Sequence, residues 1–239
     1  MQVITMAAGL GSRLGEMTSE CPKALIEVAG RTLIDRALEF AGWCGATRRV
    51  VVGGFCHADL VQHVRELAPD AVLVENVDFR KGNLISMTTG YAALEPGAGF
   101  LLMNVDHIYP RGVAEIVAGV AASASDVTAF CDFDRDLGAD DMKVSLTSDQ
   151  RVDDMSKQLA RWDAGYVGMT FVPAARRAEY EAATEATSAR DGERANVEAI
   201  LVSMARAGQR PAIADISGHG WHEVDEPHER ARAEAALRT

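Results

Sequence analysis

The chain has 239 residues, 48% hydrophobic and 25% charged, with a formal net charge of −11. That length can bury a full core in one domain. The acidic balance argues against nucleic acid or an anionic membrane as a main partner, so an anionic substrate has to be met by a local cluster of Lys and Arg. No apolar run approaches the ~20 residues of a membrane helix, and the N-terminus reads as a strand rather than as a basic segment followed by an apolar one. Cys21, Cys44, Cys56 and Cys131 show neither Cys-x-x-Cys nor zinc spacing, which favours reduced thiols and a cytoplasmic location.

In chain order, residues 2–6 read as a strand that runs into the loop Ala7-Ala8-Gly9-Leu10-Gly11-Ser12-Arg13-Leu14-Gly15, with Cys21-Pro22-Lys23 beyond it. Helical spacing follows over 32–40, a strand over 49–52, a helix over 57–67, a strand over 71–74, a helix over 83–94 and a strand over 100–105 ending at Asp106. A helix over 112–122 and a strand over 126–131 complete the first half. Near-continuous apolar strands alternating with helices predict an α/β fold with a doubly wound, mostly parallel sheet, which binds ligands outside the carboxyl ends of its strands. The second half changes rhythm. Residues 143–147 and 151–155 flank a polar turn and predict a small β-hairpin insertion, read as a lid or an acceptor-site element. A strand over 165–172, helices over 174–186 and 194–207, a polar connector over 184–193 and a strand over 213–216 follow. Pro227 can open the last helix. No linker divides the chain, so residues 1–239 read as a single domain.

Glycines let a loop bend tightly and approach phosphate oxygens, and Arg13 and Lys23 add cations that can face a polyphosphate. The Walker loop is excluded because no Gly-Lys pair follows Gly9 or Gly11. The dinucleotide fingerprint fails at its third glycine, where Leu14 stands. Magnesium takes one or two carboxylates plus phosphate oxygens. Asp106, at the end of an apolar strand, suits that role. Asp225 also follows a short apolar segment, but it stands two residues before Pro227, where capping the last helix is an equal alternative. Asn83 and Ser86 sit at a helix start. Lys143 and Lys157 flank the hairpin, where isolated lysines are usually solvated. His107 is a metal neighbour, an acceptor contact or a hydrogen-bonded structural histidine. Glu198 is either an acceptor contact or an exposed helix charge. Trp221 belongs to a small set of aromatics that either frame an acceptor or pack the core.

The segment from Ala7 to Lys23, continuing Ala24-Leu25-Ile26-Glu27-Val28, resembles the signature of the sugar-phosphate nucleotidylyltransferase superfamily. Val50-Val51-Val52-Gly53-Gly54 resembles its second strand and glycine turn. Asn83-Leu84-Ile85-Ser86 resembles its nucleotide contact, and Asp106 and Val224-Asp225-Glu226-Pro227 its two metal-binding aspartates. Within the superfamily the chain looks most like cytidylyltransferases of small phosphorylated alcohols or phosphonates. The resemblance implies a Rossmann-like nucleotidyltransferase fold. It implies a nucleotide site of Ala7, Ala8, Gly9, Gly11, Ser12, Arg13, Lys23, Gly53, Asn83, Ser86 and Asp106, and catalytic roles for Arg13, Lys23 and Lys143. It further implies Mg2+ on Asp106 and Asp225, and an acceptor site of His107, Lys143, Lys157, Glu198 and Trp221. The expected reaction joins CTP to a small phosphorylated alcohol with release of pyrophosphate; a cyclitol phosphate leads, with phosphocholine or a phosphonate next. The alternatives are a sugar-1-phosphate enzyme using UTP, GTP or ATP, and a nucleotide-binding module without turnover. Acceptor identity and oligomeric state stay open.

Overall fold

The computed structural model describes residues 1–238. The first strand, β1 (Gln2–Ala7), is buried along its whole length. The glycine loop continues as 3-10 turns over Ser12–Thr18, interrupted at Gly15. A short ribbon of β2 (Glu27–Val28) and β3 (Arg31–Thr32) leads into α1 (Leu33–Trp43). Thr32 and Asp35 start that helix with a reciprocal capping box. Strand and helix then alternate through β4 (Arg48–Gly53), α2 (His57–Leu67), β5 (Val72–Glu75), α3 (Leu84–Tyr91) and β6 (Phe100–Asn104). Next come β7 (His107–Ile108), α4 (Arg111–Ser123), β8 (Thr128–Asp132), β9 (Lys143–Leu146), β10 (Val152–Ser156) and β11 (Ala164–Val172). The chain continues with α5 (Arg177–Asp191), α6 (Glu198–Arg206), β12 (Ala212–Asp215), β13 (His222–Glu223) and α7 (Pro227–Leu237), which Pro227 does open.

Strands β5, β4, β1 and β6 lie side by side and parallel, the α/β arrangement the alternation predicts. Along β1 the side chains alternate between two cores. Val3 joins Val51 and Leu101 on one face, under α1 and α4, while Ile4 joins Val50, Val52 and Leu102 on the other, under α3 and α6. Both faces are covered, which is why these strands read as unbroken apolar runs.

The sheet changes direction at β11, which runs antiparallel to β6 on one side and to β8 on the other. Strand β12 then adds parallel to β8. At nine residues β11 outruns the five of β6, so its first residues, Ala164 and Gly165, are free to pair with β9. The β9–β10 hairpin therefore extends the main sheet; it does not stand off as a lid. The polar connector expected over 184–193 is also different: α5 runs on to Asp191. Its threonines satisfy their own hydroxyls, Thr184 donating to the Tyr180 carbonyl and Thr187 to that of Ala183, each at 2.8 Å, so polar residues sit inside a helix packed on α6.

The carboxyl ends of β1, β4 and β6 deliver the glycine loop, Gly53-Gly54 and Asp106 to one rim of the sheet. The close fit of α3 beneath that rim depends on Gly90, where an added Cβ would lie 2.6 Å from Ile4 Cγ2 and 2.8 Å from Val52 Cγ2. Overpacking of this kind costs about 1–3 kcal/mol, against the roughly 1 kcal/mol that alanine gains in helix propensity. Gly90→Ala should therefore lower the urea midpoint of unfolding without changing the m-value.

Candidate active site

Gly11 adopts a left-handed φ of 63°, and a Cβ there would meet Lys23 Cβ at 2.9 Å and Thr18 Cγ2 at 3.0 Å. The Thr18 hydroxyl donates to the Gly11 carbonyl at 2.8 Å. The loop is thus folded back on the stem of Lys23, and the glycine is required by that contact as much as by its dihedral. Lys23 is only 5% exposed. Its ammonium donates to Asp106 Oδ2 at 2.6 Å and to Asp225 Oδ1 at 2.7 Å, while the exposed Arg13 guanidinium pairs with Asp225 Oδ2. Burial works against the lysine charge, but the two carboxylates outweigh it and hold the Lys23 pKa above its ordinary value. For Asp106 and Asp225 burial likewise opposes ionisation, and Lys23 with its neighbours overcomes it, so both carboxyls are held below the usual range.

The cap of α7 belongs to other residues. Glu226 is its N-cap, in a reciprocal box with Glu229, and Glu229 Oε2 accepts the backbone N–H groups of Asp225 at 2.9 Å and Glu226 at 3.0 Å. The Asp225 carboxylate is left to face Lys23. Two carboxylates converging on one cation are what a hard divalent ion requires, so Asp106 and Asp225 could hold one where the ammonium now lies.

The second oxygen of Asp106 is fixed by His107, with Nδ1 and Oδ1 2.7 Å apart. His107 is buried, stacked on Trp221 at 5.2 Å and 9° between planes, and backed by Gly168, where a Cβ would come within 3.0 Å of the ring. Trp221 donates its indole N–H to Asp132 Oδ2 at 2.8 Å, and the Arg135 guanidinium lies 3.9 Å from the indole centroid. The sequence reading missed Glu223, the ladder partner of His107; ligand atoms of Asp106, His107 and Glu223 lie within 4.8 Å of one another. Its signal was the i, i+2 spacing from Asp225 on an extended segment.

Two cavities meet at this cluster. One, of about 370 Å³, is lined by Ala8 to Arg13, Lys23, Asn83, Ser86 and Asp106, together with Phe79, Lys81 and Asn104, which the sequence did not flag. Ala7 is buried at the end of β1, and Gly53 receives the Asn76 backbone N–H at 2.8 Å. Next to it, a Cβ on Gly54 would lie 2.9 Å from Ala8 Cβ. Asn83 Oδ1 accepts the Val197 N–H at 2.9 Å, tying the start of α6 to this wall, and Ser86 Oγ accepts from Asn76 at 2.9 Å. The other cavity, of about 770 Å³, shares Arg13 and Asp225 with the first, contains Trp221, and is lined by an excess of acids, among them Asp132, Asp134, Asp140, Asp141 and Glu226, over the arginines Arg13, Arg135 and Arg232.

Lys143 is placed differently from Lys23. It is buried, and its ammonium donates to the carbonyls of Gly138 at 2.6 Å, Lys157 at 3.0 Å and Asp141 at 3.4 Å, with the Trp162 ring 5.2 Å away. In this arrangement it ties the 138–141 loop to the hairpin. Lys157 is exposed and contributes that carbonyl. Glu198 opens α6 half-buried, its carboxyl pKa raised by burial against the pull of Lys157 and His107. The structure thus gathers Arg13, Lys23, Asp106, Asp225, His107 and Trp221 into one cluster.

Residues 3–199 match the family described as the MobA-like NTP transferase domain. The chain is 28% identical over 239 residues to a bifunctional IPC transferase and DIPP synthase of Thermococcus kodakarensis, covering 99% of this chain and 50% of that protein. It is 36% identical over 115 residues to a 2-aminoethylphosphonate cytidylyltransferase of Lancefieldella rimae, covering 45% of this chain and 46% of that protein. The chain thus spans about half the length of these relatives. Among solved structures, the inositol-1-phosphate CTP transferase from T. maritima superposes with a TM-score of 0.82 at 18% identity, over 99% of this chain and 96% of that one, which establishes a shared fold.

Because the α7 cap does not use it, Asp225→Asn should leave the far-UV circular dichroism unchanged while weakening Mn2+ binding at least tenfold in the presence of a nucleoside triphosphate. Lys143→Ala, by contrast, removes the buried ammonium that ties the 138–141 loop to the hairpin and should cost about 1–3 kcal/mol of stability, read by chemical denaturation, with triphosphate affinity unaltered.

Proposed function

We propose, from the premise that this chain belongs to the MobA-like NTP transferase domain family, that it is a magnesium-dependent cytidylyltransferase moving CMP from CTP to a small phosphorylated acceptor. The observation that carries this reading is the convergence of Lys23, Arg13, Asp106 and Asp225 where two cavities meet. One cavity, walled by the glycine loop, suits the nucleotide; the other suits the acceptor. An oxygen of the acceptor's phosphate would attack the α-phosphorus as the bond to pyrophosphate breaks and pyrophosphate leaves. That oxygen is already anionic near neutral pH, so the step needs no strong general base. It needs alignment and charge neutralisation. Lys23 and Arg13 would take the charge of the departing pyrophosphate. Magnesium, held by Asp106 and Asp225, would polarise phosphate oxygens and hold them in place. His107 would keep Asp106 oriented through the oxygen it binds.

Preference for CTP draws support from the aminophosphonate cytidylyltransferase among the relatives. A cyclitol phosphate remains the acceptor favoured by sequence resemblance. A specific observation favours a second reading, an acceptor bearing an ammonium as well as its phosphate or phosphonate. The larger cavity carries more carboxylates than the three arginines, Arg13, Arg135 and Arg232, that share its border, and that excess attracts the cationic end of a zwitterion while the arginines can meet its anionic end. Among the described residues no helix is long and apolar enough to cross a membrane.

The test is pyrophosphate release from CTP, UTP, GTP and ATP, each paired with inositol phosphate, phosphocholine, 2-aminoethylphosphonate and a hexose 1-phosphate. CTP should be preferred at least tenfold in kcat/KM, about 1.4 kcal/mol, and EDTA should abolish release until magnesium is restored. A tenfold preference for another base would end the cytidylyl assignment; no release from any pair would favour a binding module without turnover.

A further inference from the structure

The four charges at the centre of the site cancel one another. Asp106 has one oxygen on His107 and the other on Lys23. Asp225 has one oxygen on Lys23 and the other on Arg13. Neither carboxylate therefore presents a free oxygen pair to an arriving cation, and neither Lys23 nor Arg13 is free to meet an arriving polyanion.

We propose that the Lys23 ammonium, assisted by Arg13, holds the metal's place in the nucleotide-free protein, so that metal and triphosphate bind as an exchange of partners and neither binds tightly alone. This rests on the nucleotidyltransferase reading above. A divalent ion arriving alone must displace Lys23 from both aspartates. The displaced ammonium is only 5% exposed and gives up both of its carboxylate bonds; a buried charge that loses its partners is strongly unfavourable. A triphosphate arriving alone can draw Lys23 and Arg13 onto its oxygens, but it then faces two carboxylates stripped of their cations. When both arrive, the metal takes Asp106 and Asp225, the phosphates take Lys23 and Arg13, and every charge keeps a partner. Such a coupling is reciprocal: each ligand tightens the other by the same factor.

The exchange has a consequence opposite to that of an ordinary ligand-site lesion. Removing Lys23 should improve metal binding when no nucleotide is present. The experiment is a Mn2+ titration of the full chain followed by electron paramagnetic resonance, with and without CTP and without any acceptor. Lys23→Met should bind Mn2+ in the absence of CTP at least tenfold more tightly than the wild type, about 1.4 kcal/mol. Adding Asp225→Asn to that variant should remove the gain. With CTP present the order should reverse, the wild type binding Mn2+ more tightly than Lys23→Met. Arg13→Met, at an exposed position, should gain in the same direction by less, and it carries the test if circular dichroism shows Lys23→Met to be unfolded. Mn2+ affinity in the absence of CTP that is unchanged or weaker in the folded variants overturns the exchange. If the wild type binds Mn2+ and CTP together but the variants show no gain, this inference alone fails. If the wild type binds no CTP with Mn2+ at all, the nucleotidyltransferase reading fails and takes the exchange with it.

Discussion

A single buried ammonium between two carboxylates organises this protein. Lys23 lies in a loop after β1, Asp106 at the end of β6 and Asp225 just before α7, separated by as many as 202 positions in sequence, yet all three meet within 2.7 Å contacts. Burying any one of these charges alone is unfavourable, and burying them together is tolerable only with good geometry. The rest of the rim supplies that geometry. Gly11 gives up its side chain so that the loop can lie on the lysine stem, Glu229 takes over the α7 cap, and His107 holds the spare oxygen of Asp106.

The support extends inward through layers of different chemistry. His107 is fixed by its stack on Trp221, and Trp221 by its hydrogen bond to Asp132 at the end of β8. The bulge of β11 at Gly168, with φ 73°, makes room for the histidine ring against the sheet. An antiparallel strand inserted beside β6 is therefore more than a change of topology: it furnishes the wall behind the carboxylate cluster. The parallel half of the sheet supplies the glycine loop, and the mixed half supplies the scaffold that orients what the loop faces.

This division also explains what the sequence made legible. The parallel half has local signals. Apolar runs buried on both faces, a glycine loop and an amphipathic segment over 57–67 could each be read alone, and α2 spans His57–Leu67 as its spacing predicts. The mixed half is built from long-range pairings. Nothing local says that Ala164 and Gly165 pair with β9 while Met169 to Val172 pair with β6, so the hairpin looked detachable. Helix α5 was cut short because its threonines read as loop residues, although intrahelical bonds satisfy them. Asp225 was ambiguous because capping and ligation want the same residue type, and only the Glu226–Glu229 box separates them. Lys143 and Lys23 are both buried lysines. One bonds to backbone carbonyls and the other to carboxylates, a difference that composition around each position cannot express.

The overall charge of −11 then takes on a specific meaning. A site that meets two phosphorylated molecules, as proposed above, would be expected to gather free positive charge, yet Lys23 and Arg13 are already paired with Asp106 and Asp225. Around them the larger cavity is acidic, with Asp134, Asp140 and Asp141 on its border. On the proposed exchange such a site would be a poor sink for free phosphate or for bare nucleotide, because the two cations at its centre are already engaged by carboxylates. By the same proposed exchange it would favour ligands that bring their own positive charge, whether a metal ion travelling with a triphosphate or an ammonium built into an acceptor. Selectivity under that exchange would come from withholding charge rather than from displaying it, because Lys23 and Arg13 would be released to a ligand whose own cation replaces them.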